Sequence, residues 1–455
     1  MMDLIDSVNF LLATRDTGYK STALVVAEFI DNSIQAMARR VDVNVTAGAD
    51  SRFPVEILVV DDGAGMDERS LSRALTFGGS SRFNDRSSLG RYGMGLPNGA
   101  MNRARRVEVY SWQDASVLVV SLDIDEISAC RDGRLPGAAW ASGLPFAVES
   151  PTGTAVRLLR CDKVEYKRPS ALARKLHADL GRIYRHFLVG GLELRVNGKR
   201  VEPADPLFLE PWSRYSGARS FGDPLVYHLA AEAGHGRVSV RFSELPIGQW
   251  HDLPVSRKRE MGVTGSPSVS VVRAGREIDQ GWFFMGAKRR ENYDDWWRCE
   301  VSFDPVLDEL FGITHAKQAV TPRSELLDVL GPDMEAVARA LNTRARRRFE
   351  LARAASPLSS AEKRAARADS ALPPITRRAD AVPPELRDII NSRNPPPGVP
   401  RPPYQITVTD LPTTAAFEVL ARRGQVVLLL NSRHPLYRDV YGPLAMSDSP
   451  KDQEA

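Results

Sequence analysis

A carboxylate and an amide four residues apart, Glu28 and Asn32 in the stretch EFIDNSIQA (Glu28–Ala36), share one side of any helix that carries them. The carboxylate suits polarising a water for attack on a γ-phosphate, and the amide oxygen is a hard ligand suited to Mg2+. A second stretch, DDGAGM (Asp61–Met66), sets an acid before two glycines. Ionised Asp61 only accepts hydrogen bonds, so it can take one from an exocyclic amine such as N6 of adenine, while glycines let backbone approach a ring. In a third, GRYGMG (Gly90–Gly95), Gly90, Gly93 and Gly95 can turn backbone N–H groups toward phosphate oxygens at a helix N-terminus. Each stretch alone is ordinary: a solvated helix face, an Asp-Gly turn, a glycine triplet. In this order, within the first hundred residues, they outline a nucleotide pocket.

The elements that would position these groups are readable around them. Ala23, Val26, Ala27, Ile30, Ile34 and Met37 recur at helical spacing and give an amphipathic helix bearing Glu28 and Asn32. Val55–Val60 is an apolar, β-branched run that reads as a buried strand ending at Asp61. A polar loop, GGSSRFNDRSS (Gly78–Ser88), precedes the glycine triplet, and Leu96–Ala104 opens a helix after it. A dinucleotide fingerprint needs a strand directly before its glycines, so that reading is excluded.

As an ordered set the three motifs resemble the GHKL ATPase superfamily of gyrase B subunits, heat-shock-90 chaperones, histidine kinases and MutL, and within it the MORC-like group. LTFGGSS (Leu75–Ser81), GRYGMGLPNGAM (Gly90–Met101), ITHAKQ (Ile313–Gln318) and VRAGREI (Val272–Ile278) extend the resemblance over about residues 1–330. It implies that Glu28 is the general base, Asn32 the Mg2+ ligand and Asp61 the adenine reader, with Gly65 close to the base. Gly90, Gly93 and Gly95 would contact phosphates, and Lys317 would reach the γ-phosphate from a second domain. Thr154, in TGTAVRL (Thr152–Leu158), would support the adenine through its hydroxyl at the start of a strand. One departure is visible: Pro97 stands where MORC proteins tend to carry a lysine, which puts a phosphate contact there in doubt.

The fold so implied is α+β: a Bergerat-type α/β sandwich that binds ATP (1–188), an S5-like β-α-β transducer (189–330), and a small C-terminal α/β unit (404–455). Between the last two lie a basic helical connector (331–372) and a proline-rich linker (373–403). A helical patch at Ser170–Leu188 closes the first domain, and GLELRVNGKRVEP, with its Asn-Gly turn, reads as a hairpin opening the second. Further strands are expected at Leu225–Ala230, Gly236–Phe242, Ser268–Arg273 and Arg298–Phe303. Trp250, Trp282, Trp296 and Trp297 suit core or interface packing there. The prolines of Pro373–Pro403 imply an extended, semi-rigid connector. Beyond it ITVTDL, a helix at Thr414–Arg422 and VVLLLN give a β-α-β pattern, and His434 reads as structural. No internal repeats are evident.

At 455 residues and 43% hydrophobic content the chain can build two to four domains, at roughly 150 residues each. Cys130, Cys161 and Cys299, without CxxC spacing, argue against a disulfide scaffold or a zinc site. No run of about 18 apolar residues is present and the acidic start lacks a signal peptide, so a cytoplasmic protein without membrane contact is expected. Net charge is only +4, but Arg339, Arg344, Arg346, Arg347, Arg348, Arg353, Lys363, Arg364 and Arg367 crowd one alanine-rich stretch. Such a helix suits a phosphate backbone and equally a solvated connector. The resemblance further implies ATP and Mg2+ as cofactors and a homodimer when ATP is bound, with Asp16–Ser21 and Gly78–Ser88 as moving parts. The expected cycle acts on duplex DNA, in genome maintenance or defence; the alternative is a chaperone-like ATPase acting on protein clients. A histidine kinase would need an acceptor histidine ahead of the ATP domain, and the residues before Glu28 hold none.

Overall fold

The β-branched run at Val55–Val60 lies near the middle of an eight-stranded sheet in the computed structural model. The structure describes residues 7–16, 19–79, 94–114, 116–130, 136–265, 269–313, 320–369, 383–391, 402–422 and 425–446. The sheet is built from β1 (Arg40–Asp50), β2 (Phe53–Asp61), β3 (Ala104–Gln113), β4 (Ser116–Asp123), β5 (Ala139–Trp140), β6 (Thr152–Cys161), β7 (Glu193–Val196) and β8 (Lys199–Arg200). Their order is β5-β4-β3-β6-β2-β1-β7-β8. All pairs are antiparallel except β1 with β7.

Side chains alternate across a strand, so β2 presents Val55, Ile57, Val59 and Asp61 to one face and Glu56, Leu58 and Val60 to the other. The first set is buried against helices, and the second is half-buried rather than enclosed as the apolar run suggested. Charged groups occupy that second face. Arg157 Nη2 lies 3.2 Å from Glu56 Oε2, and Arg106 Nη2 lies 3.0 Å from Glu108 Oε1.

The helices of this part are α1 (Ser7–Arg15), α2 (Thr22–Gln35), α3 (Glu68–Ala74), α4 (Gly95–Arg103), α5 (Ile124–Cys130), α6 (Pro169–Ile183) and α7 (Arg185–Val189). Val25, Val26, Phe29 and Ile30 of α2 pack with Val41, Val43, Ile57 and Val59 of the sheet and with Leu172, Leu176 and Leu180 of α6 in one core. The four-residue spacing of those leucines lines one side of α6, and Pro169 starts that helix where a missing N–H costs nothing.

The Asn-Gly hairpin forms as expected, with Asn197 and Gly198 both at positive φ, but it does not open a second domain. Its first strand pairs in parallel with β1 over Arg40–Val43, so it completes the first sheet. A second sheet follows, with β9 (Arg219–Ser220), β10 (Leu225–Ala231), β11 (Gly234–Glu244), β12 (Val269–Arg273), β13 (Arg276–Gly281) and β14 (Trp297–Phe303). The main order is β10-β11-β14-β12-β13, β12 and β14 being parallel, with β9 paired to β11. The short helices α8 (Ile247–Trp250) and α9 (Val255–Glu260) fall between β11 and β12. Trp297 is wholly buried in the second core, which also takes Leu326, Leu330, Met334, Ala338 and Leu341 from one side of the long helix α10 (Ser324–Asp369).

Contacts divide the chain into two units. One holds both sheets and the start of α10 to Asn342; the other holds residues 247–251 and everything from Thr343 onward. In the second unit two expectations fail. Within the stretch read as an extended connector, Pro384–Asn391 is a helix, α11, because Pro384 fits a first helical turn and Leu386 and Ile390 then face Leu411, Val427 and Leu429. The helix expected at Thr414–Arg422 is instead the strand β16 (Phe417–Arg422), antiparallel to β17 (Gln425–Asn431), which also pairs in parallel with β15 (Tyr404–Thr409). In FEVLAR a close return to a strand of valines and leucines outweighs the helical propensity of Leu420 and Ala421.

The two faces of β2 differ in a measurable way. Ile57→Ala, at a fully buried site, is expected to lose about 2–5 kcal/mol, and Leu58→Ala on the half-buried face distinctly less, in chemical denaturation of the full chain.

Candidate functional site

Helix α2 begins after Ser21, whose hydroxyl accepts the Leu24 N–H at 3.4 Å. From that start Glu28 falls one turn before Asn32, as the spacing requires. Glu28 is only 5% exposed and lies against the first turn of α4, whereas Asn32 is exposed. A Cβ at position 95 would collide with Glu28 Oε2, so only glycine lets the carboxylate come this close. Met94, the residue before α4, offers its first N–H groups no side-chain cap, which leaves a positive helix end beside Glu28. The Tyr19 hydroxyl lies 3.4 Å from the Gly95 carbonyl. Burial first, and then the Glu28 charge, push its phenol well above the usual range.

The other half of the site forms at the end of β2. Asp61 Oδ2 accepts from the Ser33 hydroxyl at 2.7 Å, while Oδ1 accepts from the N–H of Gly63 at 2.9 Å and of Thr154 at 3.1 Å. Helix α2 therefore supplies both Glu28 to one cluster and Ser33 to the other. Thr154 sits directly across from Asp61 in the β2–β6 register, and its contact with the acid is through the backbone amide. Gly65, at φ +71, leaves no room for a Cβ beneath the Trp112 carbonyl, and Gly153 none beside Asp61. Burial raises the Asp61 carboxyl above its ordinary value, with the bonds from Ser33, Gly63 and Thr154 working in the opposite sense.

The structure thus brings together Glu28 with Gly95, and Asp61 with Thr154 near Gly65. Gly90, Gly93 and Lys317 lie outside the described residues, as do most of Gly78–Ser88 and residues 17–18 of the segment before α2. In the rest of that segment Asp16 pairs with Lys163, and Lys20 Nζ lies 3.0 Å from Asp279 Oδ2. Mg2+ is ordinarily held by one or two protein oxygens plus substrate phosphates, and Asn32, one helical turn beyond the buried Glu28, keeps its amide exposed.

Sequence reasoning missed two buried groups behind α2. Arg276, from β13, places Nε 3.0 Å from Asp31 Oδ1 and Nη2 3.8 Å from Glu28 Oε1. The Tyr184 hydroxyl stands 2.7 Å from Asp31 Oδ1 and 2.6 Å from the Ala27 carbonyl. The available signal was Asp31, a second acid one helical turn from Glu28 on the apolar side, which a buried helix face tolerates only with a partner.

Residues 19–143 match the family model for histidine kinase-, DNA gyrase B- and HSP90-like ATPases. ATPase MORC2A of Mus musculus and ATPase MORC2 of Homo sapiens are each 34% identical over 132 residues, which is 28% of this chain and 13% of theirs. ATPase MORC2B of Mus musculus is 28% identical over 134 residues, 29% of this chain and 13% of its own. The matched stretch therefore spans about an eighth of the length of these curated relatives. Among the described residues no helix is long and apolar enough to cross a membrane.

The raised carboxyl of Asp61 has a definite sign. Its ionised form is penalised by burial, so its contribution to stability falls as pH rises from the unfolded value through the folded one. Asp61→Asn keeps an acceptor for Gly63 and Thr154 and offers Ser33 an N–H. It is expected to unfold at neutral pH at a denaturant midpoint no lower than the parent's.

Proposed function

We propose, on the premise that residues 19–143 belong to the histidine kinase-, gyrase- and HSP90-like ATPases, that this chain binds and hydrolyses ATP in a MORC-like cycle. Glu28 is the general base: it takes a proton from the water that attacks the γ-phosphorus as the bond to the β-phosphate oxygen breaks, giving ADP and phosphate. The observation that carries this reading is the buried Glu28 carboxylate against the uncapped first turn of α4, where a phosphate chain would meet N–H groups and the positive helix end. Bound Mg2+ would neutralise phosphate charge, with Asn32 as its protein ligand.

Asp61 reads the adenine amine. Its two oxygens are oriented by Ser33, Gly63 and Thr154, so the acceptor is fixed before a ligand arrives. Gly95 lines the phosphates together with Gly90 and Gly93, and Lys317 reaches the γ-phosphate, as the resemblance implies. A ligand that completes a site from two sheets shifts the balance toward a closed form by its differential affinity for that form.

We assign to this cycle ATP-dependent pairing of two chains and action on duplex DNA. Support for the second comes from α10, which exposes Arg344, Arg346 and Arg347 in the unit beginning at Thr343. Exposed arginines on one helix match a phosphate backbone in charge and reach.

Glu28→Ala is expected to keep ATP binding and to lose turnover by roughly 100-fold or more, and Asn32→Ala to weaken both, in calorimetry and steady-state phosphate release. Parent-rate hydrolysis by purified Glu28→Ala would remove the role given to Glu28. For DNA, replacing Arg344, Arg346 and Arg347 by Glu is expected to weaken duplex binding and to lower its salt slope by roughly one unit per lost phosphate contact. Unchanged gel shifts across a salt series would sink that assignment.

A further inference from the structure

Strand β13 drives a guanidinium under the nucleotide helix, and its surroundings fix it there. The β12–β13 hairpin turns on Ala274 and Gly275, both at positive φ, a two-residue connection of the kind that matches strand twist. Arg273, before the turn, is held by Asp308 in a two-point contact, Nε to Oδ1 at 2.7 Å and Nη2 to Oδ2 at 2.9 Å. Glu277, after Arg276, takes Arg185 Nη1 at 3.0 Å, and Arg185 continues to Glu300 at 2.6 Å. Three residues on, Asp279 Oδ2 meets Lys20 at 3.0 Å and the Val320 N–H at 3.2 Å. The residues on either side of Arg276 are therefore anchored independently of it.

Arg276 itself is 1% exposed and faces Asp31 and Glu28, which sit three apart on one side of α2. Taking a guanidinium wholly out of water is costly, and Arg276 meets that cost with the Asp31 carboxylate at 3.0 Å and the neighbouring Tyr184 hydroxyl. A staple between helix and sheet would be served better by apolar packing, or by fully bonded pairs such as Arg273 with Asp308. What the arginine supplies at this place, and an apolar group cannot, is a fixed positive charge 3.8 Å behind the Glu28 carboxylate.

We propose that Arg276 is a positioning residue of the hydrolytic reaction: from the second sheet it fixes the orientation of Glu28, and through Asp31 it makes that orientation depend on how β13 sits under α2. The inference rests on the reading of Glu28 as base. It gives the second sheet a direct hold on the water-activating group, separate from any contact that sheet makes with phosphate. Displacing a reacting group by about 1 Å is enough to cost roughly 100-fold in rate, so a small shift of β13 suffices as a switch.

The test uses the full chain with Mg2+, measuring affinity for a non-hydrolysable ATP analogue alongside kcat and KM for ATP. Arg276→Gln is expected to bind the analogue within about threefold of the parent while kcat falls roughly 100-fold. Arg276→Lys, which returns the charge without the planar fork, should recover at least a tenth of the parent kcat. If Arg276→Gln fails to fold, the double variant Asp31→Asn/Arg276→Gln removes both buried charges and is read instead. Parent kcat in whichever glutamine variant folds, or equal losses of affinity and kcat with no recovery by lysine, would overturn the proposal. Glu28→Ala is run in parallel: parent turnover there removes the base assignment and this inference together, whereas an inactive Glu28→Ala beside a fully active Arg276→Gln removes this inference alone.

Discussion

Helix α2 buries two carboxylates, Glu28 and Asp31, on a side that must also seal the largest core of the molecule. Charge taken out of water has to be met by something, and everything near this helix is arranged to meet it. Glu28 is received by the first turn of α4, where Gly95 lets its carboxylate approach closely, and Asp31 by the Tyr184 hydroxyl and the Arg276 guanidinium. Val25, Val26, Phe29 and Ile30 fix the rotation of the helix, so these acids cannot turn outward without exposing apolar surface.

From that constraint follows the way both sheets reach this helix. The first sheet contributes Asp61 at the end of β2 and Thr154 opposite it, a rigid frame in which backbone N–H groups orient an acid. The second sheet contributes no part of that frame, but it sends Arg276 beneath α2 and holds it by the neighbouring pairs of Arg273, Glu277 and Asp279. Arg276 and Glu28 then face each other across 3.8 Å, and the place of the arginine is set by strand pairing.

Much of this was legible from the chain alone where the signal is local. The α2 stripe up to Ile34, the β2 run, the Asn-Gly hairpin and the strands of the second sheet appear where periodicity and turn chemistry put them, whereas Met37, expected in the stripe, lies beyond the helix and is exposed. The misreadings arise where packing partners, and not local periodicity, set the outcome. FEVLAR became a strand because it pairs with the valines and leucines of β17, and Pro384–Asn391 a helix because Leu386 and Ile390 found Val427 and Leu429 distant in sequence. The hairpin at Glu193–Arg200 joined the first sheet because β1 offered an open edge, which no local pattern announces.

The order of residues by itself determined which groups could do chemistry: an acid and an amide one turn apart, an acid before a glycine turn, and glycines ahead of a helix. Spacing along a regular element fixes those relations before any folding. Only the tertiary structure decided which groups stand behind them. Arg276 is 248 residues from Glu28 in the chain, and its nearness depends on a hairpin, a parallel strand pair and a helix all being in place. Proximity across such a separation is a property of packing, and the energy that holds it there comes from the burial of both sheets, which no short stretch of sequence carries.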